Sequence, residues 1–404
     1  MQASDVKKAM ALKARIGGLL ARSLNDPARA VATWRQVLDH EPNNLPAHIA
    51  LADLYTRDTA SIALAIEAHR HVLRLEPTRV DSLHALFRMW ESLRQLDKAF
   101  CAASLLTLLR AATDTESAFF ADGRNRLPGE FRGNLGTADL VSLHHPAARG
   151  PVTDVLRAVG DEFVKLHPPQ LEQQGIDRKA DRLKGDSAVF KAVQAVTALF
   201  GVEQFEVYQA KRGLVFLETT EPLSVCIGPD VVKRLTLREQ RFLYGRAALG
   251  LVDKTAVVRK LSPGELADLV GNSVRIHQSA FDGLGRRNEE QTKQLRRAYS
   301  RKALKLLEEP ADAVQAAGKL GPIEGLVQAL LFSADRAGLL VAADLNAALA
   351  FLLREEASAN QARAETAESI SAAIALRPDV RELMTFALSE DFFRLRQRVG
   401  LSLG

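Results

Sequence analysis

A chain of 404 residues with 47% hydrophobic and 25% charged side chains is ordinary globular material, long enough for two or three cored domains. Its formal charge of +5 is mild for that length and by itself demands neither a nucleic acid nor an anionic membrane. Two cysteines, Cys101 and Cys226, argue against a disulfide framework and for a reducing compartment, so a cytoplasmic location is expected. The apolar runs read as too short to span a bilayer, and the opening MQASDVKKAMALKARIGG lacks the apolar centre of a signal peptide, so no membrane partner is expected.

Residues 11–112 carry an internal repeat. The segments DPARAVATWRQVLDHEP, SIALAIEAHRHVLRLEP and LDKAFCAASLLTLLR align with Ala30, Ala65 and Ala99 equivalent, a period of 34 to 35 residues, and Pro42 and Pro77 close the first two units. Each unit reads as two amphipathic helices: 11–24 with 28–40, 45–56 with 61–75, and 79–93 with 97–112. A small alanine suits the close approach of paired helices, and proline ends a helix because it supplies no interior donor. The pattern resembles the tetratricopeptide repeat, with Gly18 at a close-contact position; an unrelated bundle of three helix pairs is the alternative. The resemblance implies a concave groove for a peptide or helix, lined by the first helix of each pair, with Arg15, Asn44, His48, Tyr55 and His84 as candidate contact positions.

Residues 113–150 are rich in Gly, Pro and Asp, lose the helical period and read as a linker. Helices are expected at 151–166 and 187–200. The runs QFEVYQA, GLVFLET and LSVCIG are β-branched or aromatic, are separated by turn residues, and read as strands. From residue 229 the pattern is helical again, with helices near 236–251, 262–276, 290–309, 322–342, 344–357, 364–377 and 379–398. The expected fold is mainly α with a small sheet: helical-hairpin repeats over 1–112, a linker over 113–150, and an α+β domain with C-terminal helices over 151–404.

Three features of the second half come in a telling order: PLSVCIGPDVVKRL, then TLREQRFLYGRAALGLV, then LLFSADRAGLL. Over 187–357 they resemble the HtpX-like and CAAX-prenyl-protease-like metallopeptidases, zincins in which a hairpin precedes an H-E-x-x-H helix and a later helix carries a glutamate ligand just before A-D. Laid on this chain, the resemblance puts the first histidine at Arg246, the glutamate base at Ala247, the second histidine at Gly250 and the later glutamate at Leu331. Arginine keeps its charge and cannot ligate a divalent cation, so the domain reads as a degenerate pseudo-peptidase with no catalytic residue, no metal and no cofactor. The resemblance also implies that Asp335 stands where an aspartate supports a metal-binding histidine; with Arg246 in the histidine's place, an Arg246–Asp335 ion pair between the two helices is expected. GLVFLET or LSVCIG is expected to offer a strand edge to extended peptide.

Other chemistry finds little support. The chain has no phosphate loop of the G-x-x-x-x-G-K-[ST] type, no G-x-S-x-G elbow and no C-x-x-C pair. His69 and His71 lie two apart on a helix, point to different faces and read as packing residues rather than ligands, while His144 and His145 read as solvated loop residues. Ser279 follows His277 without a visible third residue to orient the pair. Within the basic helix 286–305, Lys293, Arg297, Arg301 and Lys305 form a stripe opposite Leu295, Tyr299, Ala303 and Leu306, read as a solvated face; nucleic acid is not the expected partner. The functional expectation is a non-catalytic interaction or scaffold protein that binds a protein or peptide through the repeat groove. The alternatives are a metal-independent enzyme using the zincin-like cleft and a nucleic-acid-associated factor using the basic helix.

Overall fold

The computed structural model describes residues 3–318, 320–355 and 366–403. It is mainly helical, with a small mixed sheet. The chain opens with three helix pairs: α1 (Ala3–Arg22) with α2 (Pro27–His40), α3 (Leu45–Thr56) with α4 (Ile62–Leu75), and α5 (Val80–Ser92) with α6 (Leu96–Leu108). Ala30, Ala65 and Ala99 have no exposed surface, each at the equivalent place in the second helix of its pair, where a larger side chain would hold the helices apart. The two prolines act through the residue before them. Glu41 and Glu76 leave the helical region at φ −127° and −133°, because the proline ring disfavours α backbone in its predecessor. Asp26 and Asn44 cap the following turns, accepting from the backbone of Arg29 and Ala47 at 3.1 and 2.9 Å. The glycine of close approach is Gly17 and not Gly18: a Cβ on Gly17 would lie 2.8 Å from the Trp34 ring, whereas one on Gly18 meets nothing.

The expected linker begins instead with a seventh helix, α7 (Asp114–Arg126), packed against α6. Thr113 and Glu116 form a capping box at its start, and a Cβ on Gly123 would sit 2.7 Å from Phe100 of α6. A short helix α8 (Thr137–Leu143) follows, so 113–150 is not a linker. Its composition misled because only Phe120 and Gly123 of α7 turn inward with Glu116, too few apolar positions to mark a period.

The second region contains α9 (Pro151–Leu166), β1 (Arg182–Leu183), α10 (Ala188–Leu199), β2 (Glu206–Gln209), β3 (Val215–Glu218) and β4 (Ser224–Ile227). The sheet order is β1-β2-β4-β3, with β2 and β4 parallel and the other pairs antiparallel. The central strand β4 is buried along its length, and burial pushes the Cys226 thiol up to about 12. LSVCIG therefore has no free edge; of the two runs proposed for peptide pairing, only GLVFLET lies at the sheet's margin. Beyond the sheet come α11 (Pro229–Arg234), α12 (Leu237–Val252), α13 (Pro263–Val274), α14 (Glu289–Ala298), α15 (Arg301–Ala317) and α16 (Ile323–Ala342). Val155, Val159 and Phe163 of α9 share one core with Val270, Val274, Leu307 and Val314.

Two long helices expected from periodicity are each divided. The stretch 290–309 breaks between α14 and α15, where Tyr299 is extended (ψ 139°) and the Ser300 hydroxyl caps α15 by accepting from Ala303. At the C-terminal end, α17 (Leu345–Glu355), α18 (Ala367–Ala375), α19 (Pro378–Ala387) and α20 (Glu390–Arg398) follow, and Ser389 separates the last two by accepting from the Phe392 amide at 3.2 Å. The ends of the helices expected at 344–357 and 364–377 fall partly outside the described residues. Helix α16 spans 20 residues at mean hydropathy 1.4, long and apolar enough to cross a membrane by length and composition, contrary to the expectation that every apolar run is too short; 61% of that stretch is buried within the fold.

The chain divides into two compact units along lines other than 1–112, 113–150 and 151–404. Unit 1 comprises Met1–Leu127, Leu349–Phe393 and Ser402–Gly404; unit 2 comprises Pro128–Ala348 and Arg394–Leu401. Unit 1 is closed by residues from far along the sequence: Phe393 meets Trp90 edge-on at 5.6 Å, Glu390 pairs with Lys98 at 2.9 Å, and the Leu403 amide donates to Asp97 at 2.9 Å.

Candidate functional site

Helix α12 starts at a capping box of Thr236 and Glu239 and crosses α16 with almost no side chain between the two. A Cβ on Gly245 would stand 2.7 Å from the Ala337 carbonyl, and one on Gly338 would stand 2.6 Å from the Phe242 carbonyl. This close approach brings Arg246 to Asp335. The guanidinium Nε lies 2.9 Å from the carboxylate Oδ1, the arginine side chain 20% exposed and the aspartate 5%. The guanidinium also lies over the Phe242 ring at 5.6 Å. The other three positions singled out on these helices do not join the pair. Ala247 is buried, and Leu331 is half-buried a turn before Asp335. Gly250 is pressed against the sheet, where a Cβ would come 2.6 Å from Leu217 of β3. A side chain able to reach toward Arg246 has no room there. An arginine keeps its proton and does not ligate a cation, so Arg246 acts here as the ionic partner of Asp335 between the two helices.

A second polar cluster lies in unit 2 where the sequence suggested solvated histidines. His144 is 2% exposed, its Nε2 is 2.7 Å from Asp253 at the end of α12, and Arg157 of α9 contacts the same carboxylate at 3.3 Å. The backbone of His145 donates to Ser333 at 2.9 Å, and Arg336 donates to the His144 carbonyl at 3.2 Å. Burial, with Arg336 and Arg149 nearby, pushes the His145 ring down to about 4. Both histidines are thus built into the packing of α9, α12 and α16. His277 bonds the Leu304 carbonyl at 3.0 Å, which places its ring in a structural contact.

The candidate groove residues of unit 1 fare differently from one another. Arg15 is exposed. Asn44 is a helix cap, its amide donating to Glu41 at 2.6 Å, and is spent on local structure. His48 is 9% exposed, bonded to the Pro42 carbonyl at 2.8 Å and stacked on His71 at 5.2 Å, so it too is an internal residue and not a contact position. The Tyr55 hydroxyl accepts from Arg35 at 3.2 Å. His69 joins two pairs: its ring nitrogens lie 3.0 Å from Thr56 of α3 and 3.0 Å from Ser82 of α5, and burial pushes it down to about 4.

Two of these positions line cavities: Asn44 a shallow one of about 490 Å³ formed by residues 41–46, and His84 one of about 430 Å³ between α5 and the start of α7. The His84 Nδ1 is 2.6 Å from Oε1 of Glu116, which is 3% exposed and accepts from the Thr113 amide with its other oxygen. Burial by itself would raise the Glu116 carboxyl; the bonds from His84 and Thr113 outweigh it and hold the group below its ordinary value. Asp81, Arg88 and Glu91 complete the charged lining above Phe87. Glu116 was missed from the sequence as a site residue, although the T-x-x-E spacing that caps α7 was there to be read.

The basic stripe is not one helical face. Lys293 and Arg297 lie on α14 and Arg301 and Lys305 on α15, all exposed, on either side of the break at Tyr299. Tyr299 is held in the core by a 2.6 Å bond between its hydroxyl and Ser273. The buried residue that continues the apolar side is Leu307, not Leu306, which is 53% exposed. Among the described residues no group of three or more His, Cys, Asp and Glu side chains could hold a metal ion. Compared with protein-family models, with curated proteins and with solved structures, the chain matches none.

Proposed function

We propose that the protein is a non-catalytic interaction protein whose helical hairpins bind a segment of another protein. The observation that carries this reading is the cavity at His84. It lies between α5 and α7, the first helix of the third pair and the helix that continues the series, where stacked hairpins resembling tetratricopeptide repeats present a concave face. The face of α5 there runs Asp81, His84, Arg88 and Glu91, a histidine and an arginine between two carboxylates, with Glu116 bonded to the histidine. A partner segment with acidic side chains flanked by basic ones complements it.

For unit 2 the proposal is a scaffold that resembles a zincin without its chemistry. The Arg246–Asp335 pair ties α12 to α16, the helices that in the resembling peptidases are joined through zinc. Unit 2 then contributes structure and surface instead of hydrolysis.

The test is crosslinking of a photoreactive group placed at residue 88 in the full chain, followed by identification of the captured segment and titration of that peptide. The variant Arg88→Glu, which leaves the His84–Glu116 bond in place, is expected to weaken the peptide at least tenfold while the melting temperature stays within a few degrees. Unchanged affinity in that variant, with the fold intact, removes the groove from the function.

A further inference from the structure

Helix α1 carries apolar side chains on a face that no described element covers. Leu12, Ile16 and Leu19 are 58%, 42% and 57% exposed, while Met10, Gly17 and Leu20, turned the other way, are buried. By contrast α3 and α5, each packed on the helix before it and on its own partner, expose no large apolar side chain. A step of four residues and then three is the seam of a coiled coil, with two apolar positions in each heptad. Lys8, Arg15 and Arg22 stand seven apart along one border of this seam and Lys13 lies along the other, and residues 7–22 contain no acid. Lys8, Lys13 and Arg15 have no hydrogen-bond or ion-pair partner among the described residues. The face is thus an apolar seam bordered by cations that nothing within the fold neutralises.

We propose that this face binds an amphipathic helix of another protein, one that carries its own apolar seam bordered by Asp and Glu. Charge decides the occupant. Residues bordering the seam face one another across a pair of coiled helices, so a second copy of this chain would set lysine and arginine against lysine and arginine. A bilayer calls for a broad apolar face, whereas here the apolar residues form a strip two positions wide and the far side of the helix is packed on α2. Carboxylates at the partner's border positions would complement the row of Lys8, Arg15 and Arg22. The face uses none of the residues that line the His84 cavity, so it stands without the reading of that cavity.

Two synthetic helices of about four heptads, with leucine at both seam positions and either glutamate or lysine at the border positions, test the assignment by fluorescence anisotropy with the full chain. The glutamate helix is expected to bind saturably at one site and more weakly as salt is added, with the lysine helix at least tenfold weaker. Ile16→Glu, at an exposed position, is expected to abolish binding with the melting temperature unchanged. Lys8→Glu with Arg15→Glu, at two exposed positions, keeps the seam and is expected to reverse the preference between the two helices. No saturable binding of the glutamate helix, or binding unchanged in Ile16→Glu, overturns the site. Equal affinity for both helices, or a preference unaltered by the charge reversal, overturns the acidic partner. A wild-type dimer in sedimentation that Ile16→Glu returns to monomer would give the face to a second copy. Binding to phosphatidylglycerol vesicles that the same variant abolishes would give it to a membrane, and either result overturns the proposal.

Discussion

The hairpins of unit 1 and the crossing of α12 with α16 in unit 2 both rest on small residues, at very different distances along the chain. Ala30, Ala65 and Ala99 sit in helices that pack on the helix next in sequence, so each alanine serves a contact closed by a short turn. Gly245 and Gly338 meet across more than ninety residues, with α13, α14 and α15 folded in between. The first kind of contact repeats and can be read as a period. The second is made once, forces backbone against backbone, and is then available to hold one charged pair beside it.

The difference predicts unequal tolerance to change. The largest effect is expected at the crossing: Gly338→Leu must push apart a carbonyl 2.6 Å from the new Cβ, and the loss should reach about 4 kcal/mol or prevent unit 2 from folding. The two tryptophans, Trp34 and Trp90, both belong to unit 1, so their fluorescence reports that unit while far-UV circular dichroism reports both. The urea midpoint of Gly338→Leu should fall more by circular dichroism than by fluorescence. An equal fall by both probes would show that the units unfold as one and that the contrast drawn between them has no energetic meaning.

A smaller loss is expected when the ion pair is cut. Arg246→Ala takes the arginine from a carboxylate that is 5% exposed and should cost about 3 kcal/mol, whereas Asp335→Ala leaves an arginine that is 20% exposed and should cost less. A chelator should move neither midpoint. Stability of the wild-type protein that depends on added zinc would contradict an ionic tie between α12 and α16 that needs no metal.

The smallest effect is an acid sensitivity of the hairpins, read through the tryptophans of unit 1. His69 is held at about 4 against an ordinary 6.5 by burial, so the folded ring stays neutral where the unfolded chain takes up a proton. Stability is complete above pH 6.5 and is lost as the pH falls toward 4, by on the order of 2 kcal/mol. His69→Gln should reduce this slope in the tryptophan-detected transition, leaving the part that belongs to His71, which burial also lowers. His145, lowered to about 4 in unit 2, should leave that transition unchanged when it is replaced. A tryptophan transition whose pH slope is unchanged in His69→Gln would place the acid-sensitive group elsewhere.

Much of the helical layout was legible, and the failures share a cause. The hairpin helices α2 to α6 and α9, α10, α12, α13 and α16 lie close to where periodicity and caps put them, because each has an apolar face and a local stop signal, whereas α1 begins at Ala3, eight residues before the expected start. The break at Tyr299 was not legible: Leu295, Tyr299 and Ala303 keep a four-residue spacing across it, and only the Tyr299–Ser273 bond and the Ser300 cap show that the chain bends. Strand β1 is two residues long and exists by pairing with β2, so no local pattern announces it. At the sites, the meeting of Arg246 and Asp335 was foreseen by reasoning from a resemblance, while Glu116 beneath His84 and the burial of His144 were not. Each of those depends on which distant element arrives at the position.

The sequence by itself determined the helical character of the chain, the pairing of its first six helices and the absence of a metal-ligating side chain at Arg246, Ala247, Gly250 and Leu331, since these follow from local propensity, period and side-chain chemistry. Tertiary structure decided the rest. It returned residues 349–355 and 366–393 to unit 1, placed Gly17 instead of Gly18 against Trp34, buried His48, and set the first turns of α9 and α16 on one cavity. The reason is that burial belongs to pairs of surfaces: a glycine, a histidine or a helix end acquires its role only when another element, tens or hundreds of residues away, closes over it.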